Sequence, residues 1–303
     1  MIDLHTHSNY SDGELSPDNL VHEAVKRGLR AIALTDHDTI GGLDIAKTAV
    51  KRDNLQEKIQ FIPGIEININ WNQGNHPKEA PGMGAGGEFH LLGLGINSPS
   101  ENFITAVNKL FARREARNRE ILERMHEYSI DAAWDELLEI SGAAVNKNQS
   151  IGRPHFAALL IKHKIVKNAK QAFARYLGVG KPFYVPKEGL TFEEAVTVIR
   201  ESGGIPVLAH PVSLYVAWGR LPNLVSILKD MGLMGIEAWH PTAKPGSCRR
   251  LEALAKSLGL FVTEGSDFHG LIRPDHKLGY SSKGRKISDA VLEAIPALAA
   301  PQC

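Results

Sequence analysis

Six apolar stretches of this 303-residue chain run straight into metal-binding side chains, and no other feature restricts its fold as much. They end in LHTH (His5, His7), TDHD (Asp36, His37, Asp38), GIE (Glu66), FH (His90), AHP (His210) and GSDFH (Asp267, His269). The stretches read as strands, with amphipathic helical patterns between many of them. PDNLVHEAVKRG, closed at Gly28, comes before LRAIALTDHD; FEEAVTVIRESGG comes before IPVLAHP; RRLEALAKSLG comes before LFVTEGSDFHG. This alternation predicts a parallel α/β sheet or barrel. Such barrels carry their chemistry at the C-terminal ends of the strands.

In an HxH pair on a strand both imidazoles share one face, because side chains alternate with period two. His5 and His7 can therefore chelate one ion, with Asp12 and a glycine turn close behind them. Histidine and carboxylate donors together suit Zn, Mn or Fe, and a carboxylate can bridge two ions. A single strand-end histidine is ordinarily a hydrogen-bonded structural residue. Six such ends in one chain point to a metal centre.

The middle of the chain breaks the alternation. ITAVNKLFARREARNREILERMHEY, PHFAALLIKHKI and AKQAFARYL are all helical patterns. They predict a helical insertion over residues 99–185 that covers the mouth of a barrel built from residues 1–98 and 186–303. Residues 72–88, rich in glycine and proline, read as a loop. Composition narrows the classes further. Hydrophobic residues make up 43% and charged residues 23%, as in an ordinary globular protein. A net charge of +1 provides no global basic field, so nucleic-acid contact must come from a local cluster. Two cysteines, Cys248 and Cys303, are too few for a disulfide framework. With no charged-then-apolar leader and no apolar run near about 18 residues, a cytoplasmic, non-membrane protein without a stable protein partner is expected.

The motifs DLHTHSNYSDG, ALTDHDT, IPGIEI, FHLLGLG, LAHP and GSDFH resemble the PHP (polymerase and histidinol phosphatase) family of metal-dependent phosphoesterases. The resemblance implies a distorted (β/α)7 barrel of PHP type, here with a helical insertion domain, and up to three metals at its mouth. By the same resemblance His5, His7, Glu66 and Asp267 hold the first metal. Glu66 bridges to a second, held also by His90 and His210, and Asp12, His37 and His269 hold a third. Several family members carry histidine where this chain has Asp12. Two or three divalent ions per chain are expected, Mn foremost, with Zn and Fe also compatible.

The insertion, RREARNRE, GRPHFA, GKPFYVP and GSDFH resemble one branch of the family in particular. That branch contains phosphatases of nucleoside 3′,5′-bisphosphates, which release the 3′-phosphate to leave a 5′-mononucleotide, and 5′→3′ exoribonucleases that trim short RNA ends. A nucleotide or short oligoribonucleotide is the substrate so implied. In a multi-metal site an activated hydroxide attacks phosphorus while the cations clamp phosphoryl oxygens.

The protein must add donors of its own. Arg153 is the first candidate for a phosphate clamp, because guanidinium matches phosphate bidentately. His155 could donate to the same phosphate or protonate the leaving group, and it could equally cap its helix. Arg113 and Arg117 stand four apart on a helix and can face an anion, although Glu115 and Glu120 alternate with them as on a solvated face. Arg117 is carried forward as a substrate contact, as are Lys181 and Tyr184 for ribose or base. His240 reads as a rim residue behind the ligands. His22, His76, His126, His163 and His276 read as structural or solvated.

Three alternatives remain at this point. A histidinol phosphate phosphatase or another small-molecule phosphatase would use the same fold. A non-catalytic module would belong to a far longer chain and often lack ligands. A metal-dependent nucleic-acid-binding protein conflicts with the net charge and with the lack of a DNA-binding motif.

Overall fold

The computed structural model describes residues 1–71, 87–143 and 148–299. Seven strands form one sheet in sequence order: β1 (Ile2–Thr6), β2 (Ala31–Leu34), β3 (Gln60–Asn68), β4 (His90–Leu94), β5 (Ile205–Leu208), β6 (Gly235–Trp239) and β7 (Phe261–Glu264). The sheet curls until its ends nearly meet. There the His7 N–H donates to Phe268 O at 3.0 Å, beside a parallel bridge from Thr6 to Phe268. A nearly closed seven-stranded α/β barrel results.

The expectation of a wholly parallel sheet needs one correction. β4 runs antiparallel to both β3 and β5. Asn68 at the end of β3 faces His90 at the start of β4, so the connection turns back at a single rim. A strand that returns directly down the barrel is antiparallel by construction, whereas a parallel neighbour needs a crossover. His90 therefore opens its strand rather than ending it, and the reversal puts that first residue on the same rim as the other strands' last ones. The proposed loop at 72–88 lies outside the described residues from 72 to 86.

Alternation explains why the strands read as continuous apolar runs. Ala31 and Ala33 of β2 point into the barrel, with Ile2, Leu4, Ile62, Leu92, Val207 and Ala209. Ile32 and Leu34 point outward onto α1 (Pro17–Lys26) and α2 (Leu43–Arg52). The interior plug is completed by Ile287, Ile295 and Leu298, from the C-terminal segment that includes α10 (Ala290–Glu293) and α11 (Pro296–Ala299). Helices α7 (Phe192–Glu201), α8 (Leu221–Asp230) and α9 (Pro245–Ser257) cover the outer face of β3 to β6.

Between β4 and α7 lie α3 (Glu101–Glu127), α4 (Trp134–Ser141), α5 (Arg153–Lys162) and α6 (Ala169–Ala172). Helix α3 starts at Ser100, whose hydroxyl accepts from Phe103 N–H at 3.1 Å. At 1.5 Å per residue it extends about 40 Å, long enough to belong to two cores. Phe103, Val107 and Leu110 pack on the barrel. Ile121, Leu122 and Met125 join Phe156, Leu160, Leu177 and Phe183 in a separate cluster of the insertion. No helix among the described residues is long and apolar enough to cross a membrane.

Candidate metal centre

The first loop is tied down before any ligand is considered. Asp36, just after β2, accepts from Ser8 N–H at 2.8 Å and from the Ser8 and Ser11 hydroxyls at 2.6 Å each. Burial still outweighs those bonds and pushes its carboxyl up to about 6. Asp36 thus fastens the first loop to the second. Gly13 closes the turn, where a Cβ would sit 2.4 Å from the His7 carbonyl oxygen. Asp38, His210 and Asp267 hold positive φ values of 54°, 26° and 50°. Strained backbone of this kind gathers where a site dictates side-chain direction.

In β1, Ile2 and Leu4 belong to the interior plug, so strict alternation would turn His5 outward. The pairing with β2 slips between Asp3 and Thr6, and such a bulge re-aims a side chain. His5 Nε2 then lies 3.1 Å from His7 Nε2. Both rings are fully buried. Gly265 packs against this strand so closely that a Cβ there would lie 2.3 Å from His5 Cβ.

Glu66 on β3 occupies the centre. Its Oε1 lies 2.8 Å from His90 Nδ1 and 2.9 Å from His210 Nε2. Its Oε2 lies 3.4 Å from His5 Nε2, 3.4 Å from His7 Nε2 and 2.9 Å from His37 Nδ1. Asp267 Oδ1 stands 3.2 Å from His7 Nε2 and 3.6 Å from His5 Nε2. Asp12 Oδ1 stands 3.2 Å from His269 Nε2 and 3.9 Å from His37 Nε2. All nine residues expected from the motifs converge in one cluster, and six of them line a pocket.

These atoms crowd together without pairing. Glu66 Oε2, Asp12 Oδ1, His37 Nδ1, His240 Nε2 and His269 Nε2 are buried and lack an aligned hydrogen-bond partner. An unpaired polar atom in a low-dielectric interior costs on the order of 1–3 kcal/mol, and five in one place need a common explanation. Lone pairs directed at a shared point, rather than along donor–acceptor lines, are what divalent cations require. Donor sets that could hold an ion include His5–His7–Asp267, His5–Glu66–His210, His37–Glu66–His90 and His7–Asp12–His37–His269. The imidazoles divide: a ligating imidazole must be neutral, yet, against the effect of burial, the neighbouring carboxylates raise His5, His210 and His269. Burial, reinforced by His269, brings His7 down to about 3, and burial brings His90 down to about 4. Glu66 and Asp267, although burial opposes it, are held far below the ordinary carboxylate range by the surrounding histidines.

Glu237 was not anticipated. It is 1% exposed, its Oε1 lies 2.9 Å from His5 Nδ1, and its Oε2 accepts from His210 N–H at 2.8 Å. A carboxylate on the far nitrogen of a ligating histidine fixes ring orientation and tautomer. Its signal was present in MGIEAWHP: Ile236 and Ala238 pack outward, so the acidic residue between them faces the barrel interior. His240, read as a rim residue, is 2% exposed with Nε2 3.3 Å from Asp267 Oδ2. His276, read as structural or solvated, is buried, with Nδ1 2.9 Å from the Asp267 carbonyl oxygen.

Beside the ligands opens a cleft of about 290 Å³, whose lining also includes cations. Arg114, Arg153, Lys187 and Arg273 line it together with Glu88. Arg153 lies 5.7 Å from the ring centroids of both Phe173 and Tyr184, and donates to Glu88 Oε1 at 2.7 Å. Arg114 pairs with Asp38, and Arg273 donates to Asp267 Oδ2 at 2.6 Å. Lys187 and Arg273 lie in irregular segments, where no periodicity could single them out.

The other expected substrate contacts divide. Tyr184 lines an adjoining pocket with Arg153, Lys187 and Glu88. His155 accepts from Gly152 N–H through Nδ1 at 3.0 Å, capping α5, and burial lowers its pKa. Arg117 is buried behind the cleft, its Nε donating to Val185 O at 2.9 Å, and burial brings it down to about 9. Within RREARNRE it is Arg114 that reaches the cleft, while Arg119 pairs with Glu115 on the solvent side. Lys181 is exposed and lines neither the cleft nor the adjoining pocket.

Comparison with known proteins follows the same outline. The PHP domain family matches residues 3–185. The chain is 33% identical over 269 residues to the 5′-3′ exoribonuclease Rnm of Salmonella typhimurium, covering 89% of this chain and 85% of the relative. It is 30% identical over 268 residues to the 3′,5′-nucleoside bisphosphate phosphatase of Chromobacterium violaceum, covering 88% and 87%. A solved structure from Bifidobacterium adolescentis, assigned to the metal-dependent phosphoesterases, superposes with a TM-score of 0.79 at 26% identity, covering 98% of this chain and 96% of that one.

Proposed function

This chain belongs to the PHP domain family and is a hydrolase of its phosphoesterase class, and from that premise we propose that it acts on nucleotides. The substrates we propose are nucleoside 3′,5′-bisphosphates, which would lose the 3′-phosphate, and the 5′ ends of short RNA. One observation carries the reading: metal ligands (Asp12, His37, Glu66, His90, His210 and Asp267) and the cations Arg114, Arg153 and Lys187 line a single cleft. An ester with one anionic group to be cleaved and a second to be held fits such a lining. The names of the two relatives support it. An amino-alcohol phosphate such as histidinol phosphate has no second phosphate to offer Arg153 and Lys187.

In this reading His5, His7, Glu66 and Asp267 would hold one ion, Glu66 with His90 and His210 a second, and Asp12 with His37 and His269 a third. When bound, such ions lower the pKa of water toward about 7 and offset charge on phosphoryl oxygens. The chain's own residues do the rest. Glu237 holds the His5 ring so that Nε2 faces the cleft. Asp36 fixes the first loop, and with it the relative positions of His7 and Asp12. Arg153, held near two rings, presents a preorganised fork to the phosphate that is not cleaved. His155 spends Nδ1 on its helix cap, so Nε2–H is the atom it can offer a leaving oxygen. Tyr184 is the ring within reach of the sugar or base.

The deciding experiment measures product release after chelation and readdition of Mn, with adenosine 3′,5′-bisphosphate, a short 5′-phosphorylated RNA and histidinol phosphate side by side. Turnover of either nucleotide substrate is expected. Turnover of histidinol phosphate alone would replace this reading with the small-molecule one.

A further inference from the structure

The cationic wall is not uniformly neutralised. Arg114 is committed to Asp38, and Arg117 to a backbone carbonyl. Arg153 and Lys187 share a single carboxylate, Glu88, at 2.7 and 3.7 Å from its Oε1. All three side chains line both the metal cleft and the adjoining pocket that contains Tyr184. The three are held differently. The Arg153 side chain is 15% exposed, held near two rings and within 3.4 Å of Leu177 O. The Glu88 side chain is 43% exposed. Its backbone is pinned, with N–H donating to Ser213 O at 2.9 Å and its carbonyl accepting from the Ser213 hydroxyl at 2.9 Å. Arg153 is thus fixed by the scaffold, while the carboxylate hangs from a fixed backbone with room to swing toward solvent.

We propose that Glu88 is a specificity residue, whose carboxylate occupies, in the free protein, the place between Arg153 and Lys187 that the uncleaved phosphate of the substrate takes. This rests on the nucleotide reading of the site. A phosphate monoester carries a charge of about −1.5 to −2 at neutral pH with three acceptor oxygens. It outcompetes a single carboxylate for a guanidinium fork and an ammonium. A substrate with a hydroxyl at that position leaves the Glu88 pairs intact and gains nothing from the subsite. The cost of displacing Glu88 offsets part of the new contact, so the carboxylate screens the subsite against anions weaker than a phosphate.

The test uses Glu88→Gln and Lys187→Gln, each assayed on adenosine 3′,5′-bisphosphate and on an aryl phosphate without a second anion. Calorimetric binding of adenosine 5′-monophosphate accompanies both. With the competing charge removed, Glu88→Gln should lower KM for the bisphosphate relative to the aryl phosphate on the order of tenfold, the size of a screened repulsion at a half-exposed site. Binding of the monophosphate should tighten in parallel. Lys187→Gln should move both quantities the other way. A ratio that is unchanged or raised in Glu88→Gln, or monophosphate binding that does not tighten, overturns the proposal. If the wild-type chain turns over neither nucleotide substrate, the functional reading fails, and the calorimetry still decides whether Glu88 competes with a phosphate.

Discussion

The two walls of the cleft are built from opposite materials. On the barrel side, His5, His7, Glu66, His90, His210 and Asp267 sit at or just beyond strand ends. They are almost fully buried, on short side chains aimed by backbone hydrogen bonds and by positive φ values. On the cationic side, Arg114, Arg153 and Lys187 reach in on long side chains from a helix, a helix start and the loop between α6 and α7. Metal coordination demands positions fixed to tenths of an ångström, which a sheet supplies. Holding a phosphate needs positive charge and forked donors, and it tolerates looser placement. Lesions on the barrel wall should therefore be all-or-none, and lesions on the cationic wall graded.

The largest effect belongs to Glu66→Ala. Because each carboxylate oxygen faces a different set of imidazoles, the variant should lose more than one metal per chain and nearly all phosphoesterase activity. Elemental analysis of the folded variant with an unchanged metal count would remove the bridging role. Next comes Arg153→Ala. A charge-assisted contact worth about 1.5–3 kcal/mol predicts a drop in kcat/KM for a nucleoside 3′,5′-bisphosphate of roughly 10- to 150-fold. Metal content should hold, and an aryl phosphate should suffer much less. Equal losses on both substrates would put Arg153 on the reacting phosphate and blur the division between the walls.

Glu237→Gln tests whether the barrel wall extends behind its ligands. Metal affinity, followed by titration into the chelated protein, should fall by about 10- to 100-fold. An unaltered affinity would reduce Glu237 to packing. The smallest effect is expected at Lys181, exposed and away from the cleft. Lys181→Ala should change kcat/KM by no more than about twofold, in line with a surface substitution. A tenfold loss there would mean that substrate runs farther over the insertion than the cleft extends.

The barrel wall was legible in the sequence because its residues are punctuated by periodicity. Each ligand ends an apolar run, and HxH, DHD and SDxH are short enough for neighbours in sequence to be neighbours in space. Even there, polarity was hidden: FHLLGLG looks the same whether His90 closes a parallel strand or opens an antiparallel one. The β3–β4 pairing decides that, with Asn68 opposite His90. The cationic wall was legible only in part. Arg153 was visible through GRPHFA, but Arg114 and Arg117 are three apart on one helix, and only the direction in which α3 leaves the barrel separates the one that lines the cleft from the one buried behind it.

What the sequence determined by itself was therefore local: strands, helices, and which residue types end each strand. Backbone periodicity and the chemistry of histidine and carboxylate act within a few residues. Tertiary structure alone decided how separate ends meet. It set the two oxygens of Glu66 against two groups of imidazoles, placed Glu237 behind His5 across 232 residues of chain, and brought Lys187 and Glu88 to one cleft. Those placements follow from barrel closure and from the packing of α3 across two cores, which no local pattern encodes.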